Sequence, residues 1–179
     1  MNKVKIASSA VVCVESKLKG TVSVGSMTVI HPKASIIAEA GPIVIGENNI
    51  IEEQVVIMHS LKDGEEWDES RVLKIGSNNV FEVGCAVFAN AIGDHNVIEA
   101  KSYVGEGIEI ANGCIIGAGC RLTVPEKLQD NSVFSGSACS LNIAPDRPPA
   151  QTLQLEFLSK VLPNYHHLKK VKKPEQAVN

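Results

Sequence analysis

The sequence predicts an all-β solenoid, a parallel β-helix of hexapeptide repeats with about six to seven coils, followed by a C-terminal α-helix. Three observations support this prediction. Apolar residues recur at every sixth position, small or β-branched residues often precede them by two positions, and an apolar stripe with helical spacing follows the last repeat.

The sixth positions, called slots below, are apolar throughout the repeat. Alternation between a slot and the residue two before it places both side chains on one face of a strand. Each six-residue unit is therefore a short strand and a corner, and three units close a triangular coil. The slots are Ile6, Val12, Leu18, Val24, Ile30, Ile36, Ile45, Ile51, Ile57, Ile75, Phe81, Val87, Ile92, Ile98, Val104, Ile110, Ile116, Leu122, Leu128 and Phe134.

Interruptions of the repeat always follow the third slot of a coil. They are extra residues after Ile36, an insertion from Met58 to Lys74, and a one-residue shortening before Ile92. Insertions at one corner leave stacked strands undisturbed. We therefore expect all three to lie at the same corner of the solenoid.

Two kinds of corner residue recur along the chain. Asn49, Asn79 and Asn96 hold equivalent turn positions, where their amides are expected to hydrogen-bond along the solenoid axis. Glycine directly follows several slots, and we expect it there to supply the positive φ of a tight corner. These glycines are Gly25, Gly46, Gly76, Gly93, Gly105 and Gly117.

The chain is predicted to divide into four segments. Residues 4–140 form the β-helix, 141–151 a linker, 152–170 a helix packed on the solenoid, and 171–179 a disordered tail. Thr152 is a candidate helix cap, and Pro163 is expected to kink or restart the helix. The apolar residues of this helix include Leu155, Phe157, Leu158, Leu162 and Tyr165.

Composition argues against several classes of partner and site. A formal net charge of −3 favours neither nucleic acid nor a membrane surface. No stretch approaches the roughly 20 apolar residues of a membrane span, so membrane insertion is not expected. The five cysteines are odd in number and lack CxxC spacing, which argues against a disulfide framework and favours the reducing cytosol.

Hexapeptide solenoids resemble two groups of enzymes, γ-class carbonic anhydrases and acyltransferases of the left-handed β-helix class. The left-handedness expected here rests on that resemblance. The anhydrases hold zinc with three histidines, and the matching positions of this chain are Met58, Val83 and Phe88. None of these binds zinc. His59 is one residue from the first position and is interpreted as a loop histidine, while a residual metalloprotein stays an alternative.

An acyltransferase requires a general base near an acceptor hydroxyl or amine. His31 and His95 lie at corners without a motif that marks a base, and we interpret both as solvated corner histidines. Cys114 and Cys120 occupy inward positions typical of small core residues. No catalytic, cofactor or metal site is predicted, although a hexapeptide-repeat acyltransferase remains a second alternative.

The remaining candidate sites are surfaces for protein partners. The only tryptophan, Trp67, lies in the acidic insertion, where it either covers an apolar edge or contacts a partner. The ends of the solenoid also present strand edges that invite pairing. Candidate partner-binding residues are Trp67, Leu155, Phe157, Leu158, Leu162 and Tyr165.

Longer strings of the sequence carry a more specific resemblance. The tail PPAQTLQLEFLSKVLPNYHHLKK follows a repeat containing VVCVES, HPKASIIAEAGPIVIGENNIIEEQ and NNVFEVGC. From about Val4 to Lys170 the chain resembles the dynactin subunit 6 family, with the largest departures in the insertion and the last few residues.

The resemblance implies a left-handed β-helix without enzymatic activity. It implies a structural subunit of dynactin, the complex that works with cytoplasmic dynein in microtubule-based transport. Its expected partners are dynactin subunit 5, as a heterodimer, together with dynactin subunit 4 and the pointed-end actin-related protein. The expected location is the cytoplasm and cytoskeleton, in association with microtubules and the centrosome, with a role in cargo engagement.

Overall fold

Short strands whose alternate residues are apolar form three sheets around one core, and these sheets are parallel except at β20, the last strand. The computed structural model describes residues 3–169 and agrees with the predicted hexapeptide-repeat left-handed β-helix of about seven turns followed by a single helix. The predicted tail, 171–179, and residue 170 of the predicted helix lie outside the described residues.

The strands are numbered in chain order. Each of the first six coils contributes one strand to each sheet, and β19 and β20 extend sheet 2 alone. Sheet 1 contains β1 (Lys3–Ile6), β4 (Thr21–Val24), β7 (Ile43–Ile45), β10 (Leu73–Ile75), β13 (Ala91–Ile92) and β16 (Glu109–Ile110). Sheet 2 contains β2 (Val11–Val12), β5 (Val29–Ile30), β8 (Ile50–Ile51), β11 (Val80–Phe81), β14 (Val97–Ile98), β17 (Ile115–Ile116), β19 (Ser132–Ser135) and β20 (Ser140–Ile143). Sheet 3 contains β3 (Lys17–Lys19), β6 (Ser35–Ala38), β9 (Val56–His59), β12 (Ala86–Val87), β15 (Tyr103–Val104) and β18 (Arg121–Leu122).

The slots stack directly above one another and form the core. In sheet 1, for example, Val24 pairs with Ile45, Ile45 with Ile75, and Ile75 with Ile92. Every slot is buried in one cluster except Ile6 and Leu18 in the first coil, which are half-buried against it. The hexapeptide prediction is therefore confirmed residue by residue.

The three interruptions lie at one corner, as predicted. Residues 39–42, the corner loop 60–72 and residues 88–90 all connect a strand of sheet 3 to a strand of sheet 1. The loop is shorter than the predicted Met58–Lys74 insertion. Met58 and His59 belong to β9, where they pair with Ile37 and Ala38 of β6.

The corner asparagines bond along the axis, but to backbone groups of the next coil instead of to one another. Asn79 Oδ1 accepts from the Asn96 N–H, and Asn79 Nδ2 donates to the Gly93 carbonyl, both at 2.9 Å. Asn49 and Asn96 make the equivalent bonds to the coil that follows each of them. All three side chains are fully buried.

The predicted role of the corner glycines is wrong. None of the glycines that follow slots has a positive φ. That conformation occurs three residues after the slot, at Met27, Asn48, Asn78 and His95 among others. Glycine is needed because the coils approach closely: a Cβ on Gly46 would lie 2.6 Å from the Gly76 carbonyl oxygen.

The end of the chain departs from the predicted segments at three points. The predicted linker includes β20, which pairs antiparallel with β19 and covers that end of sheet 2. Helix α1 (Thr152–Tyr165) ends before residue 170 because the chain turns back onto β2, where Leu168 forms an antiparallel bridge with Cys13. Thr152 is not the cap; Gln151 holds that position without a side-chain hydrogen bond, and Pro163 lies within the last turn.

Among the described residues, no helix has the length and apolar character needed to cross a membrane.

Candidate interaction surfaces

His31 is a buried, paired side chain, so its interpretation as a solvated corner histidine is wrong. Its Nδ1 lies 2.9 Å from Glu53 Oε1, and only 8% of the residue is exposed. Burial alone would raise the pKa of Glu53, but hydrogen bonds from His31 and from the backbone hold that pKa below its usual range. The pair joins corners of adjacent coils.

The other two candidate histidines also have structural surroundings. His59 donates from Nδ1 to the Gly41 carbonyl at 3.3 Å, and its burial lowers its pKa. His95 has a φ of 58° and is half-buried at its corner, so it is not fully solvated. Neither one faces a second histidine or a cysteine in the kind of cluster that holds a metal, and no such cluster occurs within residues 3–169.

The three positions that match zinc ligands carry side chains with other roles. Met58 and Phe88 follow Ile57 and Val87, which pair between β9 and β12. Met58 therefore lies on β9, and Phe88 comes directly after the neighbouring strand. Phe88 contacts the ring of Tyr103, with centroids 5.6 Å apart. Val83 is exposed at the preceding corner. A thioether, a phenyl ring and an isopropyl group pack well but do not supply the nitrogen, oxygen or thiolate ligands of zinc.

The inward cysteines are core residues, as the sequence indicated. Cys114 is fully buried, and burial raises its pKa. Cys85 is also fully buried, and burial raises the pKa of its thiol to about 12. A thiol with so high a pKa is almost entirely protonated at neutral pH and is a poor nucleophile.

Helix α1 lies along the outer face of sheet 2. Leu155 and Leu162 are buried there and Leu158 is half-buried. Together with Leu168 they cover an aliphatic stripe made by the outward residue of each successive strand. This stripe comprises Val11, Val29, Ile50, Val80 and Val97. Three of the candidate partner-binding leucines therefore contact the chain's own solenoid.

The sequence contains a signal for this docking face that the search for slots missed. The residue just before the slot is Val or Ile in every repeat of sheet 2, from Val11 to Ile115. At the same position sheets 1 and 3 are mixed. Sheet 1 carries Lys5, Ser23, Val44, Lys74, Ala91 and Glu109, and sheet 3 carries Lys17, Ser35, Val56, Ala86, Tyr103 and Arg121. Only one face of the solenoid is thus apolar on the outside along this length, and a helix packs on it.

A second apolar row of α1, a ridge of residues four apart, is exposed to solvent. Leu153, Phe157 and Tyr165 are spaced by multiples of four residues and are 83%, 62% and 79% exposed. Val161, half-buried, continues the row between Phe157 and Tyr165. Large exposed apolar side chains that follow one ridge of a helix are typical of a protein-binding surface. We call this row, Leu153 to Tyr165, the helix stripe.

The corner loop 60–72 is held in place by its own charged groups. Arg71 Nη1 bonds Glu65 Oε2 at 2.8 Å, and this contact lowers the pKa of Glu65. Asp68 Oδ1 accepts from both the backbone and the hydroxyl of Ser70, and its N–H donates to Ala40. The loop therefore has a defined shape although most of its residues are exposed.

Trp67 forms part of one wall of a groove on sheet 1. Its side chain is 47% exposed, so it neither closes an apolar edge completely nor projects freely into solvent. The groove has a volume of about 920 Å³. Leu61 and Val72 line the same wall, while residues of β1 and β4 form the floor. The helix stripe and this groove lie on different faces, sheet 2 and sheet 1.

Comparison with known proteins gives a short family match and long similarities to individual proteins. A family model described as bacterial transferase hexapeptide (six repeats) matches residues 91–123, the coils from β13 to β18. A solved hexapeptide transferase family protein from Anaplasma phagocytophilum is 15% identical, with a TM-score of 0.43, and the match covers 90% of this chain and 88% of that protein.

Similarity to curated proteins extends over almost the whole chain. Dynactin subunit 6 of Xenopus tropicalis is 53% identical over 176 residues, covering 97% of this chain and 88% of that protein. Dynactin subunit 6 of Danio rerio is 53% identical over 174 residues, covering 95% and 89%. The protein of the same name from Nematostella vectensis is 53% identical over 171 residues, covering 94% and 93%.

Proposed function

The chain belongs to the dynactin subunit 6 family, and from this premise we propose that it is a non-enzymatic subunit of dynactin that binds neighbouring subunits. The observation that carries the proposal is the 53% identity along 97% of the chain, which includes both the repeat and the tail helix. A rigid solenoid with interaction surfaces on separate faces suits such a role.

The finer assignment concerns the subunits that it contacts. We propose a heterodimer with dynactin subunit 5 and contacts with dynactin subunit 4 and the pointed-end actin-related protein. This assembly would operate in the cytoplasm, on the microtubule cytoskeleton and at the centrosome. The family resemblance supports these partners.

The helix stripe is the surface that we assign to the subunit 5 contact. Aromatic side chains are enriched in the energetically dominant parts of interfaces. Phe157 and Tyr165 are the two aromatic residues of α1, and both are largely exposed. They are also backed by a helix that Leu155 and Leu162 anchor to the solenoid, so their positions are fixed before binding.

Affinity purification of the tagged full chain from cells tests the proposal. Wild-type protein should recover the other dynactin subunits. The double variant Phe157→Ala/Tyr165→Ala should lose most of subunit 5, since two hot-spot side chains contribute about 2 kcal/mol or more each. Val124→Ala, an exposed apolar residue near the far end of the solenoid, is the matched control and should recover subunit 5 normally.

The outcomes distinguish two claims: that the chain is a dynactin subunit, and that the helix stripe is its contact with subunit 5. Failure of the wild-type chain to recover any dynactin subunit contradicts the subunit role. Recovery of subunit 5 by both variants alike contradicts only the assignment to the helix stripe.

The absence of catalysis is a separate part of the proposal. It is supported by the side chains at the zinc-ligand positions, Met58, Val83 and Phe88, and by the engagement of His31 with Glu53. Elemental analysis of purified protein should find far less than one zinc per chain, and calorimetry should detect no binding of acetyl-CoA. Stoichiometric zinc or saturable acetyl-CoA binding would overturn this part.

A further inference from the structure

The first coil leaves one end of sheet 1 open. β1 pairs with β4 on one side, and within residues 3–169 no strand pairs with its other side. By contrast, the edge of β2 is covered by the chain after α1: the Val14 N–H donates to His167 at 2.7 Å, and the Lys169 N–H donates to Val12 at 2.8 Å. Sheet 2 is therefore closed at this end while sheet 1 is not.

The open edge has the features of a site for strand addition. The Lys3 N–H donates to the carbonyl of Gly20, just before β4, and the Ala7 N–H donates to Val24 at the end of β4. Because donors alternate along a parallel strand, the N–H groups of Val4 and Ile6 point away from β4, toward the open end. The inward side chains of these two residues are half-buried, whereas Val24 in the next coil is buried. An added strand would bond these groups and cover the core beneath them.

The charge at this edge selects against a second copy and in favour of an acidic partner. Lys3 and Lys5 are the outward residues of β1, and Lys17 and Lys19 are those of β3. Lys19 forms an exposed ion pair with Glu39 at 3.3 Å. Like charges oppose pairing of two such edges, a common protection of exposed strands. Carboxylates on an incoming strand would meet the lysines favourably.

The groove beside Trp67 begins at the same edge. Lys3 and Lys5 line it together with Thr21 and Ser23 of β4, and Trp67 and Glu69 of the corner loop line it as well. Glu39, the partner of Lys19, is also part of the lining. Alternate side chains of a strand point to the same face. One row of side chains from a strand added to β1 would therefore reach the open end of this groove.

We propose that the open edge of β1 and the adjoining groove form a docking site for an extended acidic segment of a partner protein. The segment pairs with β1 through its backbone, its carboxylates meet Lys3 and Lys5, and its side chains on that face extend along the groove toward Trp67. The site lies on a different face from the helix stripe and does not depend on membership of dynactin.

A peptide titration on the full chain tests this site directly. The probe is an acetylated, amidated octapeptide of alternating Glu and Val, and the readout is the emission of Trp67, the only tryptophan. Saturable quenching or shift of the emission is expected. The same peptide with Lys in place of Glu should produce no change, because it repels Lys3 and Lys5.

Two comparisons distinguish binding at this site from nonspecific attraction between charges. Lys3→Glu/Lys5→Glu should weaken binding by about tenfold or more, whereas Lys160→Glu, a change of an exposed lysine on α1, should alter it less than about twofold. The peptide with every second backbone nitrogen methylated should also bind about tenfold more weakly when the methyl groups face β1. This comparison uses the unmodified protein and is independent of how the variants fold.

Three results would overturn the proposal. They are unchanged Trp67 emission in wild-type protein, equal effects of the edge and control lysine variants, and equal binding of the methylated and unmodified peptides. Self-association of the chain that Lys3→Glu/Lys5→Glu abolishes would instead assign this edge to a second copy. None of these results bears on the affinity purification of dynactin subunits.

Discussion

Single buried asparagines hold the corners of successive coils together. Each amide uses its oxygen and its nitrogen at the same time, so one side chain satisfies a donor and an acceptor of the following coil. At the start of the series Thr28 plays the equivalent part, accepting from the Asn49 N–H and donating to the Gly46 carbonyl. A buried network of this kind stabilises only when every member is paired.

Asn79→Ala should therefore reduce the free energy of unfolding by about 3 kcal/mol, because it leaves the Asn96 N–H and the Gly93 carbonyl buried without partners. Urea unfolding followed by circular dichroism measures the loss. Asn112→Ala is the control, since Asn112 accepts from the Asp94 N–H at an exposed turn and water can replace it. Equal losses of unfolding free energy in the two variants would show that a buried corner asparagine stabilises the fold no more than an exposed one.

The His31–Glu53 pair makes the stability of the fold decrease at acid pH. The pKa of Glu53 is lowered in the folded chain, so its carboxylate stabilises the fold above the ordinary glutamate pKa of about 4.3. This contribution is lost as the pH falls through the lowered pKa. Glu53→Gln should thus be less stable than wild type at neutral pH, with a difference that disappears on acidification.

Urea midpoints measured at pH 7 and at about pH 3 test this sign. Glu126→Gln, an exposed change of the same type, controls for the loss of one negative charge. A difference between wild type and Glu53→Gln that grows on acidification would contradict the prediction.

At the scale of elements, α1 has two apolar rows: one packs on sheet 2 and the other is exposed to solvent. Leu155 is 5% exposed and packs on sheet 2, whereas Leu153 is 83% exposed in the helix stripe. Leu155→Ala should reduce the free energy of unfolding by about 2 kcal/mol, because a buried leucine at the edge of a core loses apolar contact. Leu153→Ala, the same substitution two residues away, should change it by less than about 0.5 kcal/mol.

Chemical denaturation and the rate of protease cleavage within α1 measure these effects. Faster cleavage in Leu155→Ala alone is expected, since the helix must leave sheet 2 before a protease can bind it. Equal behaviour of the two leucine variants would mean that α1 is not anchored through Leu155.

The elements differ in how far the sequence determines them. The strands were predictable because one slot residue per six suffices to define their position, and the corner of the insertions followed from counting slots. β20 was not, since all four of its residues are exposed and the position six residues after the last slot, Phe134, is the polar Ser140. The end of α1 depends on a bridge between Cys13 and Leu168, a contact between distant parts of the sequence that local patterns do not contain.

The candidate surfaces were predictable in the same uneven way. Helical spacing identified the apolar residues of α1. It did not show which of them are buried on sheet 2 and which are exposed, because that depends on which face of the solenoid is apolar. The outward Val and Ile residues of sheet 2 supplied that information. The positions of the glycines after the slots follow from the repeat. The reason that glycine is required there, the close approach of the next coil, becomes visible only in the stacked coils.

On the scale of the whole molecule, the segment after α1 protects the first coil. Removing residues 166–179 takes away the His167 carbonyl that accepts from the Val14 N–H. Hydrogen exchange at Val14 should then become much faster, because the amide is left in solvent. Exchange at Val97, whose N–H donates to Cys114 within the solenoid, should stay slow. Exchange at Val14 that is unchanged by the truncation would contradict the capping role.

Because this segment returns to β2, the first and last parts of the described chain are neighbours. His166 lies 3.3 Å from Glu15, and Lys169 Nζ donates to the Val14 carbonyl at 3.1 Å. A pulling force applied between Lys3 and Lys169 would thus act first on these few bonds and on the edge strand β1, then on the contact of α1 with sheet 2, and only afterwards on the inner coils. In a protein loaded by transport along a track, this order would let α1 and the edge of the first coil detach under tension while the inner coils stay stacked.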